Sequence, residues 1–343
     1  MSDRIRATRE QRGWSQQELA RRAGVTRQLV SSIEAGRHSP NVAAALGLAA
    51  ALGATVESLF GSGPTRDGVA SVDGARPGNG PVRAAVVGDR VVTADLAHAD
   101  DDLERWDLAN AVVAGDRIEW LHPGADEAVM VAGCDPMLGL LATVVEHESP
   151  HRVIAVHRST GRALDALAEG HVHAVVVHGP SGTLPAPPVA VRRIHLARWQ
   201  VGLAGRHTPP SLEVIAAGGT DVIQREGSAG TQQALVRALV ALGGDPAPPG
   251  PVASGHLDVA RRLRRVATGS ATAGITMEAA ARAFDLAFDP IEVHTAELWI
   301  DRRFAGIPAL ATMVELLAGA TVSRQVAALG GYDLAGTGTE LAT

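Results

Sequence analysis

The stretch "GSGPTRDGVASVDGARPGNGP", residues 61–81, is dense in glycine and proline and has no hydrophobic period. Such a segment neither continues a helix nor holds a buried strand, so it divides the chain into separate folding blocks. Residues 1–62 read as a cluster of short helices, and 63–81 as a flexible linker. Residues 82–343 alternate apolar β-like runs with amphipathic helical patterns, the mark of an α/β fold. The expected fold class is multi-domain: an all-α five-helix domain followed by a two-lobed α/β domain. The 343 residues leave room for two or three such units.

The helical block is punctuated by its caps. Asp3 to Arg12 forms the first helix, broken by Gly13. In "SQQELARRAG", Ser15 caps, Glu18 follows three residues on as in a capping box, and Gly24 stops the helix. "TRQLVSSIEAG" repeats the design with Thr26 and Gly36, and "NVAAALGLAAALG" is capped by Asn41; "TVESLF" closes the set. Beyond the linker, "VRAAVVGDRVVTADL" reads as a β-hairpin. Each of "EAVMVAG", "HRVIAVH" and "TDVIQR" then runs through a short loop into a helix. Proline-rich "PSGTLPAPP" (180–188) reads as a crossover between two lobes.

Charge is distributed unevenly. The net charge of −6 combines a head of eight arginines and five acids with an acidic remainder. A basic head on an acidic body suits a nucleic-acid-facing end. A single cysteine, Cys134, excludes an internal disulfide. The start "MSDRIRATRE" lacks an apolar h-region, so no signal peptide is expected. The longest apolar stretch, Val42 to Val56, is interrupted and too short for a membrane span of about 20 residues. The expected location is cytoplasmic, with no membrane partner.

"SQQELARRAGVTRQLVSSIEAGRHSP" resembles the helix-turn-helix of the xenobiotic-response-element regulators, over about residues 3–60. Leu19, Ala20, Val25, Val30 and Ile33 form the inward set. The resemblance implies a second helix that enters the major groove of double-stranded DNA. It places Thr26, Arg27, Gln28, Ser31 and Ser32 on the reading side. Arg27 suits guanine and Gln28 adenine. Gln16 or Gln17, with Arg37, would hold phosphates. Such modules read DNA as dimers, so a homodimer is expected.

The remainder, from about Ala125 to Thr339, resembles the periplasmic-binding-protein-like domains fused to such regulators, and through them the molybdate-binding proteins. "GCDPMLGLLA", "VHRSTGRALDALAEG", "EGSAGTQQAL", "SGHLDVARRLRR", "TAGITMEAAA" and "ALGGYDLAGTG" carry the likeness. It implies a sensor domain over 82–343, with lobe I at about 82–187 and 292–343 and lobe II at about 188–291. Four of its loops would bring helix N-termini to one cleft, where orphan N–H groups and helix dipoles attract an anion. The implied ligand residues are Cys134, Asp135, Ser159, Thr160, Gly227, Ser228, Ala229, Gly230, Thr231, His256, Thr276 and Met277. An oxyanion held this way needs no buried counter-charge. Molybdate or tungstate is the leading effector, and no other cofactor is implied.

Two positions depart from the binding proteins. Asp135 stands near a position that offers them a hydroxyl, and Met277 where they often have a tyrosine. Either Asp135 turns away to cap its helix, or the ligand is not a simple oxyanion. A Cys/His enzyme reading finds no histidine fixed beside Cys134 by any motif, and "HVHAVVVH" (His171, His173, His178) is read as strand-end positions rather than a metal site. "EGSAGT" lacks the Gly-Lys-Ser/Thr end of a nucleotide loop. The expected function is a non-enzymatic, ligand-responsive transcription regulator. The alternatives are an enzyme of molybdenum-cofactor metabolism using the same cleft, or a DNA-binding scaffold with a ligand-free body.

Overall fold

Three of the amino-terminal helices begin where a side chain caps them. The computed structural model describes residues 2–342 apart from 36, 55, 61–68, 75–76, 97–106, 115–116 and 266–272. The helices are α1 (Ser2–Gln11), α2 (Gln16–Ala23), α3 (Arg27–Glu34), α4 (Val42–Leu52) and α5 (Val56–Phe60). Ser15 Oγ accepts from the Glu18 N–H, Thr26 Oγ1 from Leu29 and Asn41 Oδ1 from Ala44. Each bond satisfies an orphan donor of a first turn. Gly36, read as the stop of α3, lies outside the described residues. The apolar stripes meet in one small core of Ile5, Leu19, Val30, Ile33, Leu48 and Leu52, with Val25 at its margin. Gly47 stands mid-helix for a steric reason: a Cβ there would lie 2.4 Å from the Ala23 carbonyl oxygen. Only glycine lets α4 pass the end of α2.

The interval read as a linker is not wholly irregular. Residues 63–68 and 75–76 lie outside the described residues, but β1 (Val69–Ser71) and the start of β2 (Gly80–Val87) fall within it. With β3 (Arg90–Ala94), β4 (Ala111–Ala114) and β5 (Arg117–Trp120) they form a separate five-stranded sheet in the order β1-β3-β2-β4-β5. The hairpin read from "VRAAVVGDRVVTADL" is β2–β3, paired from Arg83 with Ala94 to Val87 with Arg90. This sheet has its own core of Val69, Val82, Ala84, Val91 and Val113. Its residues group with the amino-terminal unit, whereas the second unit runs mainly from Ala128 to Thr343. The described residues of 82–96 and 107–127, read as part of lobe I, group instead with the amino-terminal unit. Short alternating strands could have joined either sheet; pairing decides, and the sequence does not display pairing.

The second unit is built on a ten-stranded mixed sheet. Its first half contains β6 (Val129–Gly133), α6 (Met137–Glu148), β7 (Val153–His157), α7 (Thr160–Ala168) and β8 (Ala174–Pro180). Then come β9 (Val191–Gly205), α8 (Leu212–Ala216), β10 (Val222–Arg225), α9 (Gly230–Ala241), β11 (Val252–Ala253), α10 (His256–Arg265) and β12 (Ala273–Met277). The chain closes with α11 (Glu278–Ala283), β13 (Ala287–Asp301), α12 (Pro308–Leu317), α13 (Ala320–Leu329), β14 (Tyr332–Asp333) and β15 (Glu340–Leu341). The strand order is β11-β10-β12-β9-β13-β8-β6-β7, with β14 and β15 also on β9.

Parallel β6, β7 and β8 with α6 and α7 make one lobe, and parallel β11, β10 and β12 with α9 and α10 the other. The two 15-residue strands β9 and β13 run antiparallel along each other through both lobes. These paired strands, rather than "PSGTLPAPP" alone, make the lobe connection. Among the described residues no helix is long and apolar enough to cross a membrane.

Candidate functional site

On the helix-turn-helix, Gln17, Thr26, Arg27, Gln28 and Arg37 are exposed, and Ser31 and Ser32 are half-buried. Arg27 and Gln28 open the first turn of α3, the place from which a recognition helix reads base edges. Two of the expected contacts have other work. Thr26 spends its hydroxyl on the cap. Gln16 donates through Nε2 to Glu34 Oε2 at 2.8 Å, so Gln17 and Arg37 are the freer phosphate candidates. Glu34 is buried and takes two bonds from Arg9, at 2.7 and 3.1 Å. Arg9 also donates to the Trp14 carbonyl at 2.7 Å. This ion pair ties α1 to α3 and orients the reading helix.

In the second unit, the loops before α7 and α9 meet. Ser159, immediately before α7, and Ser228, before α9, are hydrogen-bonded to each other at 3.0 Å. Arg162 and Glu226 form a 3.2 Å ion pair between the same two segments. Gly230 is forced by the approach: a Cβ there would lie 2.8 Å from His178 Cε1. Gly227 and Ser228 are exposed, while Ala229 and Gly230 are buried. Thr160 is buried, and its Oγ1 lies 3.4 Å from the His178 N–H.

Asp135 turns away to cap. It is fully buried, and its Oδ1 accepts from the Met137 N–H at 2.9 Å and the Tyr332 hydroxyl at 2.8 Å. Its Oδ2 accepts from Trp199 Nε1 at 3.0 Å. Burial nevertheless raises its pKa above the usual carboxylate value, against the pull of these three donors. Met277 is buried, with Sδ 4.0 Å from the Tyr332 hydroxyl. The Thr276 hydroxyl donates to the His256 carbonyl at 3.1 Å. Asp135, Thr276 and Met277 therefore frame the site without offering it a free donor.

Two residues that sequence reasoning left out dominate the centre. Arg225, at the end of β10, is 2% exposed. Its Nη2 donates to the Ser254 carbonyl at 3.1 Å, while Nε and Nη1 have no hydrogen-bond partner among the described residues. Close by in the sequence, the fully buried Thr231 hydroxyl also has no hydrogen-bond partner among the described residues, and the same holds for both ring nitrogens of His256. The second omission is His178. Its Nε2 lies 3.0 Å from Cys134 Sγ, and its Nδ1 lies 2.8 Å from His294 Nδ1. His294 Nε2 contacts Glu292 at 2.5 Å, and Glu292 pairs with Arg237 at 2.5 Å. Thus "HVHAVVVH" does place one histidine in the site; His173 instead accepts from the Met130 N–H at 2.9 Å.

The electrostatics fix the protonation. Burial pushes His178 and His256 well below the ordinary imidazole value, and lowers His294 against the pull of Glu292. Burial raises the Cys134 thiol to about 11, opposed by the nearby Arg225 charge. A carboxylate only accepts, so Glu292 takes the Nε2–H of a neutral His294. His294 Nδ1 then accepts from His178 Nδ1–H, and His178 Nε2 accepts from the thiol. Burial also lowers Arg225, yet a guanidinium stays charged at neutral pH. The site is one buried cation among neutral donors.

Comparison with known proteins agrees with this division. A helix-turn-helix family model matches residues 5–59, and a PBP superfamily domain model matches residues 142–318. An uncharacterized HTH-type transcriptional regulator of Methanothermobacter thermautotrophicus is 46% identical over 57 residues, covering 16% of this chain and 83% of the relative. Another, from Archaeoglobus fulgidus, is 37% identical over 60 residues, covering 18% and 86%. Among solved structures, an ABC-type phosphate transport receptor from Vibrio cholerae aligns over 60% of this chain and 99% of its own, at 13% identity and a TM-score of 0.44. The tungstate ABC transporter from Geobacter sulfurreducens aligns over 59% and 98%, at 15% identity and a TM-score of 0.38.

Proposed function

The chain belongs to the PBP superfamily and carries a helix-turn-helix ahead of that domain, and from this premise we propose that it is a transcription regulator that senses an oxyanion. The observation that carries the reading is Arg225. An unpaired buried charge is costly: removing one partner from a buried pair typically costs about 3–5 kcal/mol. Among the described residues no carboxylate takes Nε or Nη1, and the nearby Asp258 is engaged by Arg261 and Arg262. An oxyanion would accept from the guanidinium, from the Thr231 hydroxyl and from His256, while α7 and α9 aim their N-termini at it. This revises the idea of an anion held without a counter-charge.

Molybdate and tungstate lead the panel, with phosphate and sulfate beside them. Isothermal titration of the full chain with these four anions tests the reading. Micromolar or tighter binding by at least one is expected, weakened about a hundredfold in Arg225→Gln. If none binds, or if Arg225→Gln binds equally well, the reading is wrong.

The regulator reads its operator as a cytoplasmic homodimer. Ser159–Ser228 and Arg162–Glu226 join segments of the two lobes, so a ligand that favours this closed arrangement shifts its population and with it the spacing of the DNA-reading helices. We assign the cleft to binding rather than catalysis. His178 accepts the Cys134 hydrogen, but a thiol held near pKa 11 is not an activated nucleophile at neutral pH.

A further inference from the structure

We propose that Cys134, His178 and His256 form a binding site for a borderline-soft transition-metal ion of the Zn(II) class. The Cys134 sulfur and one ring nitrogen of each histidine all lie within 4.8 Å of one another, and all three residues are buried. No two are close in the sequence. Cys134 follows β6, His178 lies in β8, and His256 opens α10. One thiolate and two imidazoles are the donors that favour Zn(II) over hard, oxygen-seeking cations. Around a tetrahedral zinc such atoms stand about 3.5 Å apart. The 3.0 Å Cys134–His178 contact must therefore open slightly, and separations near the 4.8 Å limit must close by about 1.3 Å.

Two further observations point to an ion. Both ring nitrogens of His256 are buried without a hydrogen-bond partner among the described residues. A structural histidine at 1% exposure would satisfy at least one of them. The second observation is the hydrogen-bond chain behind His178, from its Nδ1 to His294 and on to Glu292. Metal-binding histidines present one nitrogen to the metal and donate the other N–H to a carboxylate or another acceptor. Here Glu292 accepts at His294 Nε2, and His294 Nδ1 lies 2.8 Å from His178 Nδ1, where it can take that proton. That relay leaves the Nε2 lone pair facing Cys134.

On binding, the thiol proton leaves to solvent, and the sulfur and the two imidazole nitrogens each give a lone pair to the ion. The fourth position is open to water or an anion. Arg225, whose charge is felt at all three ligands, favours an anion there.

Co(II) is the probe, added to the full chain in buffer without added oxyanion. The expected result is one equivalent bound, with a sulfur-to-cobalt charge-transfer band and the visible bands of a four-coordinate ion, displaced by Zn(II). Cys134→Ser abolishes the charge-transfer band. His256→Gln, which leaves the Cys134–His178 contact in place, weakens binding about a hundredfold or more. Glu292→Gln, acting only through His294, weakens it about tenfold and keeps the band. Arg225→Gln keeps the metal while losing the anion, which separates this site from the oxyanion reading. A wild-type chain with no thiolate band, or Cys134→Ser and His256→Gln chains that bind Co(II) as wild type does, would overturn the proposal.

Discussion

His178 and His256 are the residues whose burial has the largest consequence for how the protein behaves with pH. Both are held neutral, well below the ordinary value of 6.5. Between their folded values and 6.5, the unfolded chain binds protons that the folded chain does not. Stability therefore falls as the pH drops through 6.5. The thermal midpoint of the metal-free protein is expected to fall between about pH 7.5 and about pH 5.5. His256→Gln, with one fewer such group, should show a smaller fall, and an equal one would contradict the assignment.

Neither this cluster nor Arg225 was legible in the sequence as a partner set. Cys134 lies 44 positions from His178, and His294 lies 116 from it. Only the neighbouring places of β13, β8 and β6 bring them together. Arg225 stood in plain view in "VIQREGSAG". A charged residue ending an otherwise apolar strand beside an anion-type loop was the available signal. What the sequence could not show was that its guanidinium points inward. The outcome for Asp135 was legible as a choice: cap chemistry is local, and the cap bond to Met137 is present.

At the scale of elements, the short helices were the most readable part of the chain. Their starts depend on a side chain and a backbone N–H three residues away, so Ser15, Thr26 and Asn41 announce them. The long strands β9 and β13 were not readable. β9 is buried on both faces along most of its length and β13 along its second half, and "RRIHLARWQ" has no clean period of two. Gly47 gives the sharpest test of an element contact. Gly47→Ala drives a methyl group into the backbone of α2, and overpacking of this kind costs about 1–3 kcal/mol. Operator binding is expected to weaken and the helical unit to melt earlier, with oxyanion affinity unchanged. Loss of both activities together would show that the two units do not act separately.

At the scale of the whole molecule, the chain joins a DNA-reading helix pair to a domain with a buried arginine, Arg225, whose Nε and Nη1 have no partner among the described residues. The central claim is that filling the Arg225 site changes the affinity for DNA. Allosteric couplings typically amount to about 1–3 kcal/mol, or about fivefold to 150-fold in affinity. The most direct measurement is fluorescence anisotropy of an operator fragment, selected with the full chain, titrated with and without a saturating oxyanion that calorimetry has shown to bind. The operator Kd is expected to shift by about fivefold or more for the wild-type chain and to stay fixed for Arg225→Gln. An operator Kd that is the same with the wild-type site empty and filled would contradict the account.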